Sequence, residues 1–198
     1  MYHNPVLLNE SISGLNINPS GIYVDVTYGG GGHSQEILKN LNSKGKLIAF
    51  DQDQDAIENK SNDRRLNLVK SNFKYLNNFL NYFKINEIDG LLADFGISSH
   101  QIDNKDRGFS TRFNSELDMR MNSTQKIDAK AIVNDYDKDQ LEYIFKNLGE
   151  LRNYKKVAEK IISERAKTPI ETTGDLKKIL SPLVKVKDEN KFLAQVFQ

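Results

Sequence analysis

The stretch Asp25-Val-Thr-Tyr-Gly-Gly-Gly-Gly-His-Ser34, followed by the apolar run Lys46–Phe50 and then Asp51, decides the reading of the fold. Ile22 to Val26 is a β-branched run of the kind that forms a buried strand. Glycines 29–32 let the backbone turn sharply and approach a ligand with no Cβ in the way. From His33 to Leu41 the apolar residues Ile37, Leu38 and Leu41 recur at helical spacing. A strand, a glycine turn and a helix start together aim free backbone N–H groups at a ligand. Asp51 comes twenty residues after Gly31, at the end of the next strand. A doubly wound fold places a carboxylate for ribose hydroxyls at that point.

The loop chemistry separates two cofactor classes. A dinucleotide fingerprint requires a third glycine that packs helix against strand. Counting from Gly29 puts Ser34 in its place, and counting from Gly30 puts Gln35 there. What fits instead is an acid four residues ahead of the glycines, Asp25-x-x-x-Gly29-x-Gly31. This arrangement resembles motif I of class I S-adenosylmethionine (AdoMet) methyltransferases. A carboxylate near the loop suits a ligand that carries a sulfonium and an ammonium, whereas it would repel a pyrophosphate. A nicotinamide-dependent oxidoreductase is the alternative reading, disfavoured by the missing glycine.

Composition narrows the class. A chain of 198 residues with 38% hydrophobic and 28% charged content describes a globular protein with one or two modest cores. No apolar run approaches the ~20 residues of a membrane span, and the opening Met1–Glu10 lacks the basic and apolar regions of a signal peptide. There is no cysteine, so disulfides and thiolate metal sites are excluded. His3, His33 and His100 have no metal-ligand spacing. A reducing cytoplasm is the natural home of such a chain. The first sixty residues carry more acids than bases, and residues 101–198 more bases than acids. The densest basic stretch, Arg152–Lys167, holds Arg152, Lys155, Lys156, Lys160, Arg165 and Lys167 against Glu159 and Glu164. It reads either as a phosphate-neutralising face or as a solvated face laced with helical ion pairs.

The first half alternates strands and helices. Strands are expected at Ile22–Thr27, Lys46–Phe50, Leu66–Val69 and Ile88–Phe95, with helices at His33–Leu41, Asp53–Lys60 and Tyr75–Phe83. Alternation of this kind means a parallel sheet with right-handed crossovers, here in the order 3-2-1-4. Its ligand edge lies outside the carboxyl ends of the strands. That edge would collect Gly29–His33, Asp51, the Ser71–Phe73 turn and Asp94. Beyond residue 100, Gln101–Met121 shows little periodicity. Helical faces then follow at Leu141/Ile144/Phe145/Leu148, Val157/Ala158/Ile161/Ile162 and Leu176/Ile179/Leu180/Leu183, with Thr172 or Thr173 as a cap. The expected domains are residues 1–101, a methyltransferase core, and 102–198, an inserted small all-helical substrate domain.

Several motifs in fixed order make the resemblance specific. They are His3-x-Pro-Val-Leu-Leu-x-Glu10, Gly31-Gly-His-Ser34, Asp89-Gly-x-x-x-Asp-x-Gly-x-Ser-Ser99, Gln101, Arg107-Gly-Phe-Ser110 and Leu117-Asp-Met-Arg-Met121. Together they resemble the 16S rRNA (cytosine-N4)-methyltransferase family, RsmH or MraW, along nearly the whole chain. The resemblance implies an α/β, class I, Rossmann-like AdoMet-methyltransferase sheet with an inserted helical domain. It also implies methylation of the N4 amine of a decoding-region (P-site) cytosine in 16S rRNA of the small ribosomal subunit. By position it implies that Gly31, Gly32 and His33 hold the methionine end of AdoMet, that Asp51 takes the ribose hydroxyls, that Phe73 lies against the adenine, and that Asp94 and Gln101 complete the pocket. Asp94 and Ser98 are the candidates for accepting the amino protons. Arg107, Phe109, Arg152, Lys155 and Lys156 are the candidates for RNA contacts. Phe109 has two readings, a ring that stacks on the extruded base and an anchor that packs the loop. The family's later sheet strands have no counterpart before Gln198. The chain therefore reads as C-terminally incomplete, with a remnant that binds AdoMet or RNA without turnover as a further reading.

Overall fold

The computed structural model describes residues 5–198; His3 of the opening motif lies outside them. Two compact units divide the chain, one running to His100 together with Met121–Ser123, the other formed by Gln101–Arg120 and Thr124–Gln198.

The first unit opens with α1 (Leu8–Leu15) and then alternates β1 (Ile22–Asp25), α2 (Gly32–Asn40), β2 (Lys46–Asp51), α3 (Gln54–Glu58), β3 (Leu66–Lys70), α4 (Leu76–Tyr82) and β4 (Gly90–Leu92). The four strands are parallel in the order β3-β2-β1-β4, as the alternation predicts. Parallel strands covered on both faces need apolar residues at consecutive positions, and Leu47, Ile48, Ala49 and Phe50 of β2 are all fully buried. The two-residue period of a strand sorts them. Tyr23, Leu47 and Ala49 pack with Ile37, Leu38 and Leu41 of the α2 layer and with Ile12 and Leu15 of α1. Val24, Ile48 and Phe50 pack on the other face with Phe79, Leu80 and Phe83 of the α4 layer, where Phe50 meets Phe79 edge-on at 5.6 Å.

Three sequence expectations need correction. The fourth strand, read over Ile88–Phe95, spans only Gly90–Leu92. The side chain of Asp89 accepts the Ile22 N–H at 2.7 Å and fixes the entry. Beyond Leu92 the Asp94 N–H leaves the ladder and donates to Thr27 Oγ1 at 2.8 Å. The segment read as lacking regular structure contains α5 (Ser99–Asp103) and a 3-10 turn at Lys105–Arg107, capped by the side chain of Asn104. Finally, α1 and two helices of the second unit are not apparent from periodicity.

The second unit contains α6 (Ala129–Asp135), α7 (Lys138–Asn147), α8 (Tyr154–Arg165), α9 (Thr173–Leu180) and α10 (Glu189–Phe197). Its core gathers Leu141, Phe145, Val157, Ala158, Ile161, Leu176, Leu180, Phe192 and Leu193, the faces expected from the spacing plus α10. Thr172 caps α9 in a capping box with Asp175, and Thr173 is buried. The irregular segment before α6 is stitched to this core. Leu117 is buried, its N–H donates to Glu171 O, and Thr173 N–H donates to Ser115 O.

Candidate functional site

The glycine loop is built on Asp25. This carboxylate ends β1, is fully buried, and accepts the Ser34 hydroxyl at 2.7 Å and the Thr27 N–H at 3.0 Å. Burial pushes its acidity toward higher pH, while the bonds from Ser34 and Thr27 and the nearby His33 pull it back. The sequence reading set this acid against a cationic ligand. The structure puts it beneath the loop with both oxygens engaged by the protein, so it is a tether. Tyr28 folds back under the glycines. Its hydroxyl donates to Asn59 O and accepts the Ser61 N–H, and the Asn59 side chain donates to Gly30 O at 2.9 Å. The loop can turn this tightly because Gly29 and Gly31 have φ of +51° and +77°, a region that side-chain-bearing residues avoid. Gly31 then caps α2 with no side-chain bond, leaving the positive end of the helix at the loop.

His33 is buried, and its Nε2–H donates to Val6 O at 3.1 Å. Gly32 lies so close to Pro5 that an added Cβ would approach its Cγ to 2.2 Å. The His33 ring therefore fastens the N-terminal segment, and what it can offer a ligand is its backbone.

Asp51 ends β2. Its Oδ2 accepts the Gly29 N–H at 2.8 Å and its Oδ1 the Asp53 N–H at 2.9 Å. Asp53 in turn caps α3 by accepting the Asp55 N–H. Partial burial raises the Asp51 pKa, the two backbone bonds lower it, and Asp53 raises it again. Asp51 thus joins the glycine loop to α3, a role not legible from its spacing. An ionised carboxylate has about four acceptor positions, so further acceptor capacity remains for hydroxyl donors.

At the sheet's edges, Asn72 caps the 3-10 turn that carries Phe73 and donates through Nδ2 to Gln52 Oε1 at 3.2 Å. Asp94 is exposed, its N–H bound to Thr27 Oγ1, which also approaches Asp25 Oδ1 at 3.4 Å. Ser98 is half-buried. Phe95, not singled out as a site residue from the sequence, is 71% exposed and touches Phe73, itself 42% exposed, with ring centroids 5.5 Å apart. The strand order therefore gathers Gly29–His33, Asp51, Phe73 and Asp94 along one carboxyl edge. Gln101 is buried in the second unit on α5.

The RNA candidates lie in the second unit. The Arg107 guanidinium sits 5.8 Å over the Phe109 ring and donates to Arg120 O. Phe109 is 7% exposed, the condition of an anchor rather than of a ring offered to a base. Arg152, Lys155 and Lys156 are exposed. The remainder of the basic stretch is engaged internally. Lys160 and Lys167 both bind Glu164, at 2.8 and 3.0 Å, and Arg165 donates to Val133 O. Glu159 is held by Lys138 of α7 at 2.8 Å. Among the described residues, no cluster of His, Asp and Glu could hold a metal ion, and no helix is long and apolar enough to cross a membrane.

A parallel sheet of this order, with an acid-tethered glycine loop after β1 and a carboxylate ending β2, has the α/β, Rossmann-like form of class I methyltransferases. The model of the MraW methylase family matches residues 1–198, and the chain belongs to that family. It is 54% identical over 197 residues to the ribosomal RNA small subunit methyltransferase H of Christiangramia forsetii. The proteins of the same name from Flavobacterium johnsoniae and Bacteroides fragilis are 50% and 51% identical over 197 residues. Each match covers 100% of this chain and 65% of the relative, so the chain spans just under two thirds of the length of the curated relatives it matches.

Proposed function

We propose that the protein transfers a methyl group from AdoMet to the exocyclic N4 amine of a decoding-region cytosine in 16S rRNA of the small ribosomal subunit. The observation that carries this reading is Asp51. It ends β2 bonded to the glycine loop on one side, retains acceptor capacity for hydroxyl groups, and shares its sheet edge with the exposed ring of Phe73. A nucleoside, whose ribose hydroxyls donate and whose base is flat, fits that arrangement. Ser34 stands where a dinucleotide fingerprint has its third glycine, and its hydroxyl is taken by Asp25, which disfavours a nicotinamide cofactor.

In this reading the backbone of Gly31, Gly32 and His33, at the start of α2, holds the amino-acid end of the cofactor. Asp51 takes the ribose hydroxyls and Phe73 lies against the adenine. Asp94 stands at the reacting end of the edge, and Gln101 enters through the family resemblance. When bound, AdoMet supplies an electrophilic methyl on a sulfonium. The nucleophile is the harder part, because a cytosine amine shares its lone pair with the ring. The protein's tasks are to fix the amine in line, which contributes several kcal/mol, and to accept an amino proton as the nitrogen pyramidalises. Asp94 and Ser98 are the side chains assigned to that acceptance. Arg107, Arg152, Lys155 and Lys156 are assigned to rRNA phosphates.

The test has two parts. Thermal shift with AdoMet and with NAD separates the cofactor classes. AdoMet should stabilise the chain, and stabilisation by NAD alone would overturn the reading. A labelled-methyl assay on small-subunit particles lacking the modification, followed by nucleoside mapping, should put label on cytosine N4. Label on another base would overturn the substrate.

A further inference from the structure

Phe73 and Phe95 stand in matching places, each three residues past the end of its strand, Lys70 in β3 and Leu92 in β4. Those strands are the two edges of the four-stranded sheet. Neighbouring strands lie about 4.8 Å apart, so the edges are separated by roughly 14 Å. The two ring centroids are nevertheless only 5.5 Å apart. The loops after β3 and β4, with their two side chains, therefore reach toward each other past the carboxyl ends of β1 and β2, which carry the glycine loop and Asp51. Neither ring is buried by this contact. Phe95 remains 71% exposed and Phe73 42%, so burial of apolar surface is a weak reason for the pairing. An aromatic pair that joins the two edges of the sheet and stays in water calls for another partner.

We infer that Phe95 is the second wall of an aromatic clamp that closes with Phe73 on the purine base of the cofactor. The inference rests on the AdoMet reading of the site and adds a ligand contact to it. The rings are tilted by 45°, neither stacked nor perpendicular. A flat base between two parallel rings needs about 7 Å, two carbon–carbon contacts of ~3.5 Å each. Opening therefore takes a ring shift of roughly 1.5 Å and a rotation toward parallel. The backbone beside Phe95 suits such a movement. Asp94 on one side is held through its N–H by Thr27. Gly96 on the other has φ of +151°, and an added Cβ there would meet nothing within 4 Å, so its glycine serves conformation rather than close packing. The clamp itself accepts any flat base. Asp51, on the same sheet edge, restricts the ligand to a nucleoside with free ribose hydroxyls.

The chain has no tryptophan, so Phe95→Trp installs a single reporter at the proposed wall. S-adenosylhomocysteine should quench its emission saturably, with the dissociation constant that calorimetry gives for the same variant. Phe95→Ala should bind S-adenosylhomocysteine about tenfold more weakly, the order for one base–aromatic stack, while Phe95→Tyr should restore binding. Calorimetric binding to Phe95→Trp without a change in emission, together with unchanged affinity in Phe95→Ala, would overturn the clamp and leave the cofactor reading standing. Absence of S-adenosylhomocysteine binding to the unmodified protein would overturn the cofactor reading and the clamp with it. Quenching by cytidine-containing RNA but not by S-adenosylhomocysteine would also overturn the clamp, because the ring would then belong to the target base.

Discussion

The loop that follows β1 is fastened from several sides, whereas the loop that follows β4 is held at its start and displayed beyond it. Asp25 grips the first through Ser34 and Thr27, Asp51 through Gly29, and Asn59 through Gly30. The second is pinned where Asp94 N–H meets Thr27, after which Phe95, Gly96 and Ile97 are all exposed. Both loops border the same sheet edge, so the difference suggests a division of labour. In the proposed reading the fastened loop holds the polar parts of a ligand at set distances, and the displayed loop admits a flat one. Charged groups divide in the same way along α8, where Lys160 is already engaged within the fold and Lys155 and Lys156 are displayed.

The largest effect should follow from cutting the deepest fastening. Asp25→Ala leaves the Ser34 hydroxyl and the Thr27 N–H without their acceptor, and should lower unfolding stability by about 3 kcal/mol, the upper end for unsatisfied buried donors. Urea denaturation measures it, and a loss under 1 kcal/mol would mean the loop is not held from below. The pH dependence carries a definite sign. Burial raises the Asp25 pKa above its unfolded value, so the folded state binds the proton more tightly. That contribution is complete below the ordinary carboxylate range and is lost as pH rises toward the folded pKa. The stability gap between wild type and Asp25→Asn should therefore shrink as pH rises from 4 toward neutrality. A gap that widens would show that hydrogen bonds from Ser34 and Thr27 outweigh burial.

The contrast between the two loops explains what was legible in the sequence. The loop after β1 left marks that local chemistry requires: glycines where φ is positive, a continuous apolar strand, and an acid at the strand end. The direction in which an acid points leaves no such mark. Asp25 beside a glycine loop reads the same whether it faces a ligand or lies beneath the backbone, and only its burial separates the two. Asp51 was placed correctly by spacing, yet its bonds to Gly29 and Asp53 depend on how β1 and β2 pair. The contact of Phe95 with Phe73 was illegible because it joins loops that follow the two opposite edge strands of the sheet. The β4 boundary was overrun because Ile88–Phe95 is apolar enough for a strand, while the Asp89 side chain takes the Ile22 N–H at one end and the Asp94 N–H goes to Thr27 Oγ1 at the other. Helix α1 gave no cap signal, since Leu7 precedes it in a left-handed conformation with no side-chain bond. Helix α10 likewise lacks a side-chain cap and declares itself only by packing Phe192, Leu193 and Phe197 into the core.

Asp51 tests whether a group that fastens the loop also contacts the ligand. Asp51→Ala should weaken AdoMet binding by about 2 kcal/mol, the order for charge-assisted hydrogen bonds, or roughly thirtyfold. Because Asp51 also holds Gly29, Asp51→Asn is the sharper probe. It keeps an acceptor for one backbone N–H and loses the charge, so its affinity should fall between wild type and alanine. Calorimetry with equal affinity in all three proteins would reduce Asp51 to a loop fastener and remove the ribose assignment.

The smallest expected effects lie on α8 and the residues that flank it, and there the distinction between engaged and displayed groups can be broken most directly. RNA affinity depends on salt through the number of phosphates neutralised, with a slope of about −0.7 per contact for single strands. If Arg152, Lys155 and Lys156 meet phosphates, changing all three to glutamine should make the slope of log affinity against log salt shallower by about 2. Lys160 and Lys167 already share Glu164. Changing those two to glutamine should alter the slope by no more than about 0.7, because the one carboxylate they share balances one of their two charges. Filter binding of a small-subunit rRNA fragment across a salt series measures both variants. Equal slopes for the triple variant and wild type would make the whole of α8 a solvated face. An equal loss per lysine in the two variants would mean that the Glu164 pairs open when RNA binds, and that engagement within the free fold does not predict which cations meet the phosphates.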